Sequence, residues 1–201
     1  GTSRTIERTS LDRAIESSPM FMRLSAAIAL VTSALSAQQT WIVDQNSGPG
    51  TQFTEIGDAI AAASANDVIV VRDGVYSPFT LSKGLKILGE GTPSVPGGFL
   101  ITNVPAGPPV VVRNLQLSMA HPAILLGFVV ASNSAPVHLE SIQGALELVA
   151  SANSLLTASN CSFTGGSLSG GVTAVTISDS NVAFDGCQIT GPVSYTHLTL
   201  P

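Results

Sequence analysis

Beyond position 40 the chain is dominated by short apolar runs. Val68–Val71, Leu85–Leu88, Phe99–Val104, Val110–Leu117, Ala123–Val130 and Val137–Ile142 are rich in β-branched and aliphatic residues and bounded by Gly, Asp, Asn, Ser or Pro. Such runs predict strands, as does Trp41–Val43 before them. One stretch has a different period. Phe53, Ile56, Ile60 and Ala63 follow helical spacing, with Thr54 placed to cap the start and Asn66, tolerant of the left-handed conformation, placed to end it. The pattern predicts one helix followed by strands alone.

Four segments repeat one template: Val110-x-Val112-x-Asn114-Leu115-x-Leu117, Val137-x-Leu139-x-Ser141-Ile142-x-Gly144, Leu156-x-Ala158-x-Asn160-Cys161-x-Phe163 and Val182-x-Phe184-x-Gly186-Cys187-x-Ile189. In a strand, residues two apart share a face, so the step of three between the apolar pairs would put them on opposite faces of a straight strand. A backbone corner at 114, 141, 160 and 186 turns both pairs inward, and Asn and Gly accept the positive φ that a corner needs. The corners recur at about 19 to 27 residues, which suits one coil of a solenoid. Stacked coils give long parallel sheets around a filled core. A β-sandwich also has many short strands, but it favours two-residue hairpin turns over corners within a continuous inward pattern.

The first residues break this picture. From Met22 the segment MRLSAAIALVTSALSA carries one Arg, an apolar run and then small residues, the layout of a secretory signal peptide ending near Ser36 or Ala37. Residues 22–37 are therefore expected to be a signal peptide, and the polar residues 1–21 to be upstream translation. The run is about half the ~20 residues a membrane span needs, so no stable span is expected after cleavage. At the other end VSYTHLTLP, residues 193–201, abandons the Gly-punctuated pattern and resembles a translated sequencing adapter. The domain is thus expected over 38–192, incomplete at its C-terminal end.

Composition narrows the function classes. Only 10% of the 201 residues are charged, the net charge is −5, and no basic cluster occurs. Nucleic acid is not expected as a partner, because phosphate binding needs concentrated positive charge.

From Trp41 to Gly91 the strand WIVD, the Gly-rich loop, the helix FTEIGDAIAAA and the runs DVIVVRDGVY and LKILGEG resemble the start of pectin-methylesterase-like and other secreted, pectin-lyase-like proteins. The resemblance implies an all-β, right-handed parallel β-helix whose one N-terminal helix caps the first coil and protects its edge. It does not carry an activity. The Gln-Asp, Asp-Phe-Ile-Phe-Gly and Gly-Arg-Pro-Trp contexts of the esterases are not present, and the acidic residues are too scattered for the Ca²⁺ cluster of the lyases.

Aligning the four segments puts Arg113, Glu140, Ser159 and Asp185 at one outward position before the corner, a candidate column that could line a sugar-binding face or serve only as solvated, compensating charge. Cys161 and Cys187, the only cysteines, share the slot after the corner and are expected to be stacked neighbours, either as free thiols or as a disulfide. His121, His138 and His197 show no metal-ligand spacing, and TGGSLSGG lacks the Lys-Ser/Thr ending of a phosphate loop. Asn160-Cys161-Ser162 fits a glycosylation sequon but is read as a turn. No metal or cofactor is expected. The favoured function is a secreted or cell-surface module for display or polysaccharide contact. The alternative is a polysaccharide-active enzyme, lyase or pectin-esterase-like, with its site in further coils, and whether the protein is an enzyme stays open. The sequence does not indicate an oligomeric state.

Overall fold

The computed structural model describes residues 37–118, 128–144, 147–164 and 173–196. Apart from Ala37 these belong to one compact unit, Gln38–Pro201. The expected signal peptide, the residues before it, His121, His197, Ala123–Gly127 and nearly all of TGGSLSGG lie outside the described residues. No helix among the described residues is long and apolar enough to cross a membrane.

Among the described residues β1 (Thr40–Val43) is followed by α1 (Ile56–Ala62) and then by strands alone: β2 (Val68–Val71), β3 (Phe79–Leu81), β4 (Lys86–Gly89), β5 (Ser94–Pro96) and β6 (Phe99–Thr102). Then come β7 (Val110–Arg113), β8 (Gln116–Ser118), β9 (Phe128–Ala131), β10 (Val137–Glu140), β11 (Leu148–Ser151) and β12 (Leu156–Ser159). The last are β13 (Ser162–Thr164), β14 (Val175–Ser178), β15 (Val182–Asp185), β16 (Gln188–Thr190) and β17 (Val193–Thr196), which falls in the stretch read as a foreign tail.

These strands form a first sheet in the order β1-β2-β4-β7-β10-β12-β15 and a second in the order β17-β14-β11-β9-β6-β3, with two small sheets, β5-β8 and β13-β16. Every pairing between them is parallel, for example Val137 with Val110 and Leu156, or Leu148 with Phe128 and Val175. Parallel neighbours need a crossover between them. Here the crossover from β7 to β10 runs through β8 and β9, so the chain visits the sheets in turn. Among the described residues the arrangement is all-β with one helix and is compatible with a β-solenoid.

The corners explain how a chain of short strands keeps one apolar side buried. Asn114, Ser141, Asn160 and Gly186 adopt φ of 56°, 55°, 53° and 59°. Val110, Val112, Leu115 and Leu117 are consequently all buried around the first of them, and Leu156, Ala158, Cys161 and Phe163 around the third. A second set of corners, which the sequence pattern does not reveal, follows the strands of the second sheet: Asn103, Ser132, Ala152 and Asp179, with φ of 55°, 56°, 49° and 46°.

Behind this second set runs a buried polar file. Asn133, Asn153 and Ser180 are 2%, 5% and 3% exposed. Asn133 Nδ2 donates to Ile101 O (3.2 Å) and to Asn153 Oδ1 (2.9 Å), and its Oδ1 accepts from Val104 N–H (3.0 Å). Asn153 Nδ2 donates to Val130 O (2.7 Å) and Ser180 Oγ (3.2 Å). The file stitches consecutive second-sheet corners through the core, and no buried side-chain nitrogen or oxygen among the described residues lacks a partner.

The helix is shorter than its apolar period suggests. Glu55, not Thr54, occupies the N-cap, without a side-chain cap bond, and the chain becomes extended at Ala63. Asn66 does take positive φ (74°), but in the turn before β2 rather than at the helix end. The helix is stopped by tertiary contact instead: Lys83 Nζ donates to Ile60 O, Ala61 O and Ala63 O at 2.8, 3.3 and 2.7 Å, satisfying the last carbonyls from across the fold. Ile56, Ala59 and Ile60 are buried, and α1 packs against β1, β2 and β3.

Candidate functional site

Alternation along the first sheet sends every second side chain outward, and in-register pairing lines these up across strands. Glu140 pairs with Arg113 on one side and Ser159 on the other, and Ser159 pairs with Asp185. The four residues therefore form one file. Within it Arg113 Nε lies 3.5 Å from Glu140 Oε1, with both side chains substantially exposed (57% and 39%). At this exposure the ion pair contributes about 0 to 1 kcal/mol.

A parallel file lies two residues back along each strand. Lys86 pairs with Val111 in the β4–β7 register, Val111 with His138, His138 with Thr157, and Thr157 with Ala183. His138 Nδ1 is 2.6 Å from Thr157 Oγ1. Nothing local in the sequence marks this pair, since the two residues lie 19 positions apart. Together the two files give a sheet face with a guanidinium, carboxylates, an imidazole and hydroxyls at fixed spacing, able to donate to and accept from a polyhydroxylated ligand.

Asn160 stands at its corner as expected, and its carbonyl accepts from Gln143 Nε2 at 2.9 Å. Cys161 and Cys187 flank the paired strands β13 and β16, with Gln188 N–H donating to Cys161 O at 2.8 Å. Both cysteines are free, Cys161 buried and Cys187 half-buried. Burial pushes the Cys161 thiol up to about 11.

A second polar cluster escaped the sequence reading. Asp44, Asn46, Arg72, Asp73, Glu90 and Gly91 line a shallow cleft of about 350 Å³. Arg72 sits between carboxylates, 3.2 Å from Asp44 and 3.9 Å from Glu90. The strand register brings it together: Val43 pairs with Val71, so the residues that follow them, Asp44 and Arg72, meet. Asp44 and Asp73 are held by structural bonds. Asn46 N–H donates to Asp44, which burial opposes but Arg72 and Gly48 N–H reinforce, holding its carboxyl below the ordinary range. Asp73 accepts from Thr92 N–H. Among the described residues no group of three His, Cys, Asp or Glu is arranged to hold a metal.

Asp67 is a third structural carboxylate. Burial disfavours its charge, but bonds from Gln39 N–H (2.9 Å), Ser64 N–H (2.9 Å) and Trp41 Nε1 (3.1 Å), with the nearby Lys83 cation, outweigh burial and lower its pKa. A lowered folded-state pKa contributes stability that is complete above the unfolded value, near 4, and is lost as pH falls through the folded value. Asp67→Asn should therefore be less stable at neutral pH and lose less on acidification, which urea titrations between neutral pH and about pH 3 would measure. An unchanged acid slope would contradict this assignment.

No family model, curated protein or solved structure matches the chain.

Proposed function

We propose that the chain is a right-handed parallel β-helix of the pectin-lyase-like kind, and that it acts as a secreted module that contacts polysaccharide through the outer face of its first sheet. The reading rests on one observation above all: Arg113, Glu140, Ser159 and Asp185 stand in register on consecutive strands, beside the His138–Thr157 pair. Parallel strands step by about 4.8 Å, so the file offers repeated polar contacts along one line, as an extended sugar polymer would need. The resemblance of Trp41–Gly91 to the start of secreted β-helix proteins supports both the handedness and the compartment. The carboxylates Asp44 and Asp67 are buried and engaged in structural bonds, so the reading gives them a structural part and no part in the contact face.

A glycan array comparing the wild type with the Arg113→Ala/Glu140→Ala/Asp185→Ala variant tests this. Specific binding by the wild type should be lost in the variant, while each substitution alone changes stability by less than about 1 kcal/mol, because outward side chains bury little area. Equal binding by both proteins would remove the column from the site. Incubation with pectin and alginate, with and without Ca²⁺, tests the enzyme alternative, since release of reducing ends or unsaturated products would replace the binding module with a polysaccharide-active enzyme.

A further inference from the structure

We propose that Cys161 and Cys187 form a cross-strand disulfide when the folded protein meets a small-molecule disulfide, and that this bond is a redox latch holding β16 against β13. The two residues immediately precede a directly paired couple, Ser162 and Gln188, and Gln188 N–H donates to Cys161 O at 2.8 Å. In-register parallel neighbours lie about 4.8 Å apart at Cα, inside the ~4.4 to 6.8 Å span a disulfide bridges.

Stacked side chains pointing the same way would resist the ±85–100° dihedral of a disulfide. Here both sulfurs contact the carbonyl two residues back, but that of Cys187 has in addition a shorter contact that reaches across to the neighbouring segment. Cys161 Sγ donates to Ser159 O at 3.3 Å, two residues back across its own corner, whereas the shorter bond of Cys187 Sγ, 3.2 Å, reaches Ala158 O on β12. Its contact to the equivalent carbonyl across its own corner, Asp185 O, is longer at 3.6 Å. The sulfur of Cys187 thus leans toward β12, which ends two residues before Cys161.

The chemistry is thiol–disulfide exchange with oxidised glutathione or a similar disulfide. Cys187 is half-buried and Cys161 is 2% exposed, so the oxidant meets Cys187 first. The Cys187 thiolate attacks one glutathione sulfur, releasing one glutathione thiolate and leaving a mixed disulfide. Cys161, once deprotonated, attacks the Cys187 sulfur and displaces the second glutathione thiolate. Two protein thiols are oxidised, one glutathione disulfide is reduced, and the two protons pass to the released thiolates. Because the Cys161 thiol is raised to about 11, the second step is slow at neutral pH and should quicken about tenfold per pH unit toward that value.

The test treats the folded full chain with oxidised glutathione over a series of mildly alkaline buffers, then alkylates in denaturant and weighs the product. The expected product is a monomer that has lost two hydrogens and takes no alkyl group, formed faster as pH rises, with slower hydrogen exchange at the Phe163 and Ile189 amides. Cys187→Ser, which removes the more exposed sulfur, should give no bond and no change in exchange. A chain that keeps two alkylatable thiols, stops at a glutathione adduct, or links into dimers overturns the disulfide. A bond that leaves exchange unchanged overturns the latch.

Discussion

Asn153→Ala is expected to lower the unfolding free energy by about 3 to 4 kcal/mol. The side chain is almost fully buried and fixes three neighbours at once: Val130 O, Asn133 Nδ2 and Ser180 Oγ. Removing it leaves Val130 O and one Asn133 N–H without these bonds inside the core, and each buried polar group so stranded costs about 1 to 3 kcal/mol. The amide's own volume becomes a void besides. Leucine would fill the space without restoring the bonds, so Asn153→Leu should be comparably damaging. Urea denaturation followed by circular dichroism measures both variants, and a loss below about 1 kcal/mol would mean that the buried file does not hold the second-sheet corners together.

Gly89→Val should cost about 3 kcal/mol or more, although valine is the better strand former. Gly89 closes β4, and a Cβ there would lie 2.0 Å from Asn114 O and 2.8 Å from Pro93 Cγ. The first overlap is with backbone, which cannot swing aside as a side-chain tip can. The backbone in question is also pinned, because Asn114 Nδ2 donates to Gly89 O (3.0 Å) and Gly91 O (2.8 Å) across the same corner. Relief of the overlap would therefore break the corner bonds. Thermal unfolding of Gly89→Ala and Gly89→Val should both fall well below wild type, and a neutral Gly89→Ala would contradict the close approach.

The first-sheet corners were legible because two signals coincide at each: a step of three between inward apolar pairs and an Asn, Ser or Gly within it. The second-sheet corners carry neither signal cleanly. Ala152 has no turn signature at all, and the inward residues after the corners are Asn133, Asn153 and Ser180, whose polarity reads as loop until their partners on other strands are known. The outward file was legible for a simpler reason, since strand alternation alone decides which face Arg113 and Glu140 occupy. The Arg72–Asp44 pair, the Lys83 cap on α1 and the His138–Thr157 contact each join residues about 20 or more positions apart, so they depend on register and not on local sequence.

All of the functional inference rests on one register: β7, β10, β12 and β15 stacked without slip, and β13 beside β16. A one-residue slip would turn Arg113 or Glu140 into the core and separate the cysteines. The most direct test is an experimental structure of the chain that measures the Cα separations Glu140–Ser159 and Cys161–Cys187. Both are predicted at about 4.8 to 5.5 Å. Separations beyond about 8 Å, or Glu140 facing inward, would contradict the register and with it the polysaccharide face and the redox latch.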